Sequence, residues 1–423
     1  MTRSVLVVGI FAATLVLALT KPRRIHEAVW TTCGAAAMLS VGAVDARGLR
    51  AIYDASRAAI LFLVALLVLS ALVDKSGLFE WAALRAARSA RGDGRVLFRN
   101  VFVLGAVVTA TLSLDTTAVL LTPVVLSFVR RLDVNARPYV VACAFVANAG
   151  SLALPVSNLT NLILAGAFHV SFAGFVVHML PVQVGVLLVT YTSLRRHFVS
   201  ELGRFDATKV DAGAADFGTV IPHRRYFLTT VGVLATALGG YLVAPLFAIE
   251  PYVIAFAASG VLAVAGALAG RVRPGTARDV SWGVVPFVIG LFVVVQGLDG
   301  LGLAPALARL IAGAPGGAIG RSLATTGLTA IASNVMNNLP AALVARAALV
   351  PLGGHPALVY ATLVGTNVGP NVVPFGSLAT VLVLTLARER GVRVSAWSFA
   401  RAGLWATPLV CLLASLAIAL TTQ

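Results

Sequence analysis

Charged residues are scarce in this chain: they make up 11% of its 423 residues, whereas 59% are hydrophobic. A soluble globular protein carries roughly 25% charged residues, so the composition excludes a soluble globule. It predicts instead an all-α polytopic membrane protein whose spans need roughly 20 apolar residues each.

Acidic residues are scarcer still, with 16 Asp and Glu against 32 Lys and Arg, and the formal net charge is +16. Such an excess of positive charge can mark a protein that binds nucleic acid. Here, however, the basic residues lie in short clusters between apolar runs, where the positive-inside rule places them. The expected partner is therefore the lipid bilayer, and no nucleic acid is expected.

Motifs of soluble enzymes are also missing from the sequence. The chain has no P-loop, no Gly-x-Ser-x-Gly elbow and no His pair at metal-binding spacing. Its three cysteines lie inside predicted spans, without the spacing of a disulfide framework or a metal site. We expect no enzyme, no cofactor and no metal centre, and we expect transport to be driven by ion gradients or by substrate concentration.

Ten apolar runs are long enough to cross a membrane, and two of them are interrupted by Gly, Pro and polar residues. The interrupted runs are residues 138–168 and 356–386, and the pattern at 148–160 recurs at 367–379. Backbone freed from a helix is tolerated in hydrocarbon only where it is buried in protein or lines a cavity. Two broken helices at corresponding positions of two halves indicate the substrate site of a transporter.

The basic clusters predict the topology. All of them, beginning with Lys21, Arg23 and Arg24, can face the cytoplasm if the N-terminus lies outside and residues 97–129 enter and leave on one side. That segment and its counterpart, residues 318–350, are therefore predicted to be re-entrant hairpins. Five crossings in each half, an odd number, predict that the second repeat is inverted. A bundle of twelve full spans is the alternative.

The predicted organisation is a first repeat at residues 1–195, a cytoplasmic linker at 196–226 and a second repeat at 227–423. The linker carries both signs of charge and is expected to be solvated. Residues 76–88 mix aromatic and charged side chains, which favours an amphipathic helix at the cytoplasmic interface over a plain loop.

Polar residues gathered at the two hairpin tips and the two breaks form the predicted substrate site. Any one of them could instead satisfy its own backbone or join two helices, but their collection at four interruptions favours a site. The candidates are Ser113, Asp115, Thr116, Thr117, Asn148, Ser151, Ser157, Asn158, Asn334, Asn337, Asn338, Thr366, Asn367, Asn371 and Ser377.

Asp115 is the only carboxylate at these four interruptions. A charge at membrane depth costs at least ~2.5 kcal/mol, so an acid placed there is functional by default. We expect Asp115 to take up and release a proton during transport. Its carboxylate could alternatively cap the second helix of the hairpin, and the two roles are compatible.

Five stretches of this sequence resemble the arsenical pump membrane protein family, a branch of the ion transporter superfamily. They are residues 74–84, 121–123, 156–161, 336–340 and 369–380. The resemblance implies an inner-membrane carrier that exports arsenite and antimonite by proton antiport, in some systems with the help of a cytoplasmic ATPase. In the family pattern, acids stand where this chain has Asn148 and Asn367, and a Lys stands at Asn371.

Arsenite is uncharged As(OH)3 at neutral pH, so amides and hydroxyls suit it better than cationic clamps, which an organic dianion would require. The same superfamily leaves two transport alternatives open, a sodium/proton antiporter and a carboxylate or inorganic-anion permease. A membrane scaffold or receptor is a further alternative, although it leaves the paired breaks unexplained.

Overall fold

The computed structural model describes residues 2–20, 25–210 and 221–422. Within these ranges the chain is helical, and its extended pairing is an isolated antiparallel bridge between Asp93 and Arg204. The predicted cytoplasmic cluster of Lys21, Arg23 and Arg24 lies outside the described residues. The all-α prediction is confirmed.

Helices follow one another in the same order in the two halves of the chain. The first half contains α1 (Thr2–Thr20), α2 (Glu27–Ser40), α3 (Ala46–Asp74), α4 (Leu78–Arg88), α5 (Gly94–Thr111), α6 (Leu114–Thr116), a π-helical segment (Thr117–Leu121), α7 (Thr122–Arg131), α8 (Arg137–Ala149), α9 (Leu159–Ala167) and α10 (Phe172–His197). The second half contains α11 (Arg224–Val243), α12 (Pro251–Leu268), α13 (Val284–Gln296), α14 (Leu303–Ala312), α15 (Gly317–Met336), α16 (Asn338–Leu349), α17 (Pro356–Val368), α18 (Leu378–Glu389) and α19 (Ala396–Thr421).

Seven helical segments of the described chain are long and apolar enough to cross a membrane. They are Ala46–Asp74, Gly94–Thr111, Phe172–His197, Arg224–Val243, Pro251–Leu268, Pro274–Leu301 and Ala396–Thr421. Four predicted runs are not among these segments. The apolar part of α1 is Arg3–Ala18, α2 has 14 residues, and the two interrupted runs are each split in two.

Both segments predicted to be re-entrant form helical hairpins. In the first hairpin, α5 turns at Leu112 and Ser113 and the chain returns through α6, the π-helical segment and α7. In the second hairpin, α15 turns at the single residue Asn337 and returns as α16. Asp115 lies in the first turn of the returning helix of the first hairpin. That each hairpin enters and leaves on one side of the membrane stays a prediction.

The stretch predicted as an interfacial amphipathic helix is α4. Its Phe79, Leu84 and Ala87 are buried, whereas Trp81 on the other face is 40% exposed. Apolar residues recurring at helical spacing explain why this short segment folds against the protein.

The linker is less solvated than its charge pattern predicts. Phe198, Leu202 and Val210 are buried, and Glu201 forms an ion pair of 2.6 Å with Arg137. The three apolar side chains belong to the same buried cluster as Leu97 and Tyr139, so the linker packs against the first half of the protein. Residues 211–220 of the predicted linker lie outside the described residues.

Helices from the two halves pack against each other in exchanged pairs. The second helix of the first half, α2, packs along α13, and the second helix of the second half, α12, packs along α3. The last helices of the halves, α10 and α19, pack against one another. The hairpins and broken helices lie inside this frame.

Candidate functional site

The two predicted broken helices are broken in the structure. After α8 the chain passes through short 3-10 turns at Gly150–Leu152 and Pro155–Ser157 before α9 begins. After α17 it passes through a 3-10 turn at Gly369–Val372 before α18 begins. Proline at 155, 370 and 374 removes backbone donors, so an α-helix cannot continue through either stretch. We call residues 150–158 the first break and residues 369–377 the second break.

A glutamine that was not predicted as a site residue forms hydrogen bonds with the free backbone groups at the first break. The Gln183 amide nitrogen donates to the Ala149 carbonyl at 2.8 Å, and its oxygen accepts from the Leu152 N–H at 2.7 Å. Gln183 is buried within α10. A lone amide in an apolar span was a signal for such a role, because a polar group in hydrocarbon requires a partner.

Asn334 forms the equivalent hydrogen bonds with the free backbone groups of the second break. Its amide nitrogen donates to the Gly369 carbonyl at 2.7 Å, and its oxygen accepts from the Val373 N–H at 3.1 Å. The predicted site residue Asn334 thus supports the broken backbone from the neighbouring hairpin.

The asparagine at the end of α8 is bonded to the opposite half. The Asn148 amide nitrogen donates to the Asn371 side-chain oxygen and to the Thr380 hydroxyl, both at 2.9 Å. The Asn371 nitrogen in turn donates to the Phe145 carbonyl at 3.3 Å.

Asn367, which occupies the matching position at the end of α17, is bonded to the first half. Its side-chain oxygen accepts from Asn158 at 2.7 Å and from the Thr160 hydroxyl at 2.9 Å. Its nitrogen donates to the Asn161 side-chain oxygen at 2.7 Å. All these side chains are buried, so two crossed amide networks join the breaks of the two halves.

Four helices begin near one point, and each has a predicted site residue as its N-cap. Ser113 accepts from the Thr116 N–H at 3.1 Å, ahead of the helical run that continues into α7. The caps of α9, α16 and α18 accept in the same way. These caps are Asn158, Asn337 and Ser377, and the accepted N–H groups belong to Thr160, Leu339 and Thr380.

A small cavity lies where these helix starts meet. It has a volume of about 40 Å³ and is lined by Leu63, Leu114, Asp115, Asn158, Leu159, Thr160, Val284, Phe287, Val288, Asn337, Asn338, Leu339 and Leu378. We call it the central cavity. Both hairpin tips contribute to it, together with Asn158 of the first break, Leu378 at the start of α18, and residues of α3 and α13.

Asp115 is the only titratable side chain among the residues that line the central cavity. It is partly buried, and the described part of the chain supplies no hydrogen bond to its carboxylate. Because no hydrogen bond occupies it, the carboxylate is available to a ligand or a proton. Helix N-termini carry partial positive charge and favour an anion nearby.

The predicted site residues fall into two groups. Asp115, Asn158, Asn337 and Asn338 line the central cavity, and the others hold the surrounding framework together. Thr117 bonds to Thr109 within the first hairpin, and Thr116 bonds to Ser70 on α3, both at 2.7 Å.

The remaining framework residues bond mainly to backbone. Ser151 donates to the Asn148 carbonyl at 2.7 Å, and Ser157 donates to the Ala110 carbonyl of the first hairpin at 2.8 Å. Thr366 donates to the Thr362 carbonyl of its own helix at 2.9 Å. The apolar lining from α3 and α13 had no signal in the sequence, because nothing local separates such residues from ordinary span residues.

Helical hairpins and broken helices that meet at a shared cavity are an arrangement found in membrane transporters. The chain belongs to the arsenical pump membrane protein family, whose sequence profile (ArsB) matches residues 6–420. It is therefore a multi-pass membrane transport protein.

Similar proteins cover nearly the whole chain. The arsenical pump membrane protein of Escherichia coli K12 is 31% identical over 422 residues, which are 97% of each chain. That of Yersinia enterocolitica is 31% identical over 424 residues, again 97% of each chain. The crystal structure of the Alcanivorax borkumensis YdaH transporter, described as having an unusual topology, matches with a TM-score of 0.56 at 19% identity over 89% of each chain. This last likeness shows the fold.

Proposed function

We propose that this protein exports arsenite and antimonite across the inner (plasma) membrane in exchange for protons. The observation that carries the proposal is the central cavity, where four capped helix starts surround the single carboxylate of Asp115. Family membership supports the choice of substrate.

The chemistry of the lining suits an uncharged trihydroxide. Asn337 and Asn338 offer amide groups that can both donate to and accept from hydroxyls. Asn158 donates both of its N–H groups to Ser151 and Asn367 and can only accept one more hydrogen bond. No Lys, Arg or His is among the lining residues. A volume of about 40 Å³, at roughly 10–15 Å³ for each water-sized position, corresponds to about three such positions. As(OH)3 and Sb(OH)3 present three hydroxyl groups. An organic dianion would instead require cationic partners.

Proton antiport follows if substrate and proton compete for Asp115. The ionised carboxylate accepts hydrogen bonds from substrate hydroxyls and is stabilised by the surrounding helix N-termini. Protonation removes the charge and occupies one acceptor oxygen, so the protonated site binds substrate less well. If the site can face the cytoplasm again only when Asp115 is protonated, each arsenite molecule that is exported is exchanged for a proton. Gradient-driven exchange of this kind does not require an ATPase, although the family resemblance implies one as a cytoplasmic partner in some systems.

The substitution Asp115→Asn tests the coupling. Asparagine keeps the size and much of the hydrogen-bonding capacity but cannot titrate, so an imposed pH gradient should no longer drive uptake, whereas downhill exchange of arsenite should persist. The measurement is arsenite uptake by everted membrane vesicles with and without an acid interior.

Asp54→Asn is the matched control, because Asp54 is an exposed acid on α3, and it should respond to the gradient as the wild type does. Wild-type uptake that ignores the gradient would indicate a uniporter, and an Asp115→Asn variant that still responds would place the proton elsewhere. Salt tolerance without arsenite resistance in a sensitive host would favour the sodium/proton antiporter.

A further inference from the structure

A second and larger cavity lies beside the central one. It has a volume of about 220 Å³ and is bordered by α3, α9, α13, α14 and α16. Most of its lining is apolar, and its polar side chains are Ser56, Gln296, Asp299 and Arg346. In the topology proposed from the basic clusters this cavity lies toward the outside, and we call it the outer vestibule.

The outer vestibule and the central cavity are lined by the same faces of the same helices. Residues Leu159, Val288 and Leu339 line the central cavity. The residues four positions further along each helix, Ile163, Phe292 and Leu343, line the outer vestibule. Residues four apart lie on one helix face, roughly 6 Å along the axis. The two cavities are therefore stacked about one helical turn apart.

An apolar layer separates the two cavities. Leu63, Ile163, Val288, Phe292 and Leu339 belong to one buried cluster and are each no more than 7% exposed. A hydrophobic constriction of this kind closes a pathway to polar solutes until the helices move apart. The helices that carry it belong partly to the second hairpin and partly to α3 and α13.

The polar groups of the outer vestibule converge on one region. Arg346 on α16 is partly buried and lies close enough to Asp299 to interact with it electrostatically. The Gln296 amide nitrogen donates to the Asp299 carboxylate at 3.4 Å. Asp299 is exposed, whereas Gln296 and Arg346 are partly buried. A guanidinium, an amide and a carboxylate beside an otherwise apolar lining form the few convergent polar groups typical of a small-molecule site.

We propose that the outer vestibule is a second substrate site on the exit pathway, in which Arg346 binds the oxygens of the released trihydroxide. Asp299 accepts from the hydroxyls of the substrate, and Gln296 orients that carboxylate. The site rests on the proposed arsenite transport and specifies its outward route. Arg346 thereby determines affinity on the outer face of the protein and not on the inner face.

Measurement of the KM for arsenite from each face tests this site. Right-side-out vesicles present the outer face to added arsenite, and everted vesicles present the inner face. The substitution Arg346→Gln should raise the outer-face KM about tenfold, since a hydrogen bond from a charged donor is lost, and should leave the inner-face KM within about twofold. Arg346→Lys keeps the charge, and its outer-face KM should lie between those of the wild type and Arg346→Gln.

Arg309→Gln is the matched control, because Arg309 is an exposed arginine on α14 outside the vestibule lining. It should change neither KM. An unchanged outer-face KM in Arg346→Gln, or an equal rise on both faces, would overturn the proposal. If Arg346→Gln is inactive on both faces, Gln296→Leu replaces it in the test. A KM that rises only on the outer face supports the site, and any other result rejects it. Wild-type vesicles inert toward arsenite on both faces would instead refute the transport function itself.

Discussion

At the scale of single residues, buried amides join the two halves of the protein. Asn367 accepts two hydrogen bonds and donates one across the interface between the breaks. Each of its partners is buried, and Asn161 lies outside the lining of the central cavity, so the Asn161 oxygen has no replacement partner when Asn367 is lost. We infer that Asn367 holds the two breaks together as one unit.

Replacing Asn367 by leucine should destabilise the protein strongly. Leucine keeps the branched shape of asparagine but not its polar groups, so buried polar groups on Asn158, Thr160 and Asn161 each lose a hydrogen bond, at a cost of about 1–3 kcal/mol each. The midpoint of thermal unfolding in detergent measures the effect. Thr366→Val is the control, because the Thr366 hydroxyl bonds only to carbonyls of its own helix. Equal midpoints for the two variants would contradict the inference.

At the scale of an element, the tip of the second hairpin depends on one residue in an unusual conformation. Asn337 has φ 75° and ψ 156°, values that non-glycine residues rarely adopt. Its nitrogen donates to the Phe375 carbonyl at 3.3 Å, and the N–H of Asn338 donates to the Gly376 carbonyl at 3.0 Å. The tight turn therefore docks the hairpin onto the second break.

Two substitutions of Asn337 should have different effects on stability. Glycine adopts this backbone conformation without strain, so Asn337→Gly should lose only the contribution of the side-chain hydrogen bonds. Valine is branched at Cβ and is strained at positive φ, which should cost a further ~1–3 kcal/mol. Thermal unfolding of both purified variants measures the difference, and a valine variant as stable as the glycine variant would exclude backbone strain at this tip.

At the scale of the whole molecule, the exchanged helix pairs support the inverted-repeat proposal. In an inverted repeat, α12 is the counterpart of α2, and α13 is the counterpart of α3. A contact between α2 and α13 then requires an equivalent contact between α12 and α3. Both contacts are present. The same relation maps α10 onto α19, and these two helices pack against each other. An odd number of crossings in each half then places the two hairpins on opposite sides of the membrane.

Cysteine labelling tests this arrangement in a Cys33→Ser background, since the native Cys33 is exposed. Cysteines replacing Arg99 and Arg131, at the open end of the first hairpin, should react with a membrane-impermeant thiol reagent only from the cytoplasm. Cysteines replacing Ala318 and Val350, at the open end of the second hairpin, should react only from outside. Labelling of the two ends of one hairpin from opposite sides would favour twelve full spans.

The sequence by itself determined the class of protein and the positions of its interruptions. Scarce charge and long apolar runs require a membrane environment, and a proline such as Pro155 removes a backbone donor in any surroundings. The hairpin that contains Asp115 was also predictable, because basic residues flank it on both sides. These features depend on local chemistry, which acts in the same way whatever the rest of the chain does.

Only the tertiary structure decided which polar residues face the central cavity and which hold the framework. Asn158 and Asn334 look alike in sequence, yet Asn158 lines the cavity whereas Asn334 satisfies the backbone of the second break. The partners of Gln183, the apolar lining from α3 and α13, and the packed linker also emerged only in three dimensions. The physical reason is that a buried amide bonds to whichever group packing brings within reach, and packing is set by residues far away in the chain.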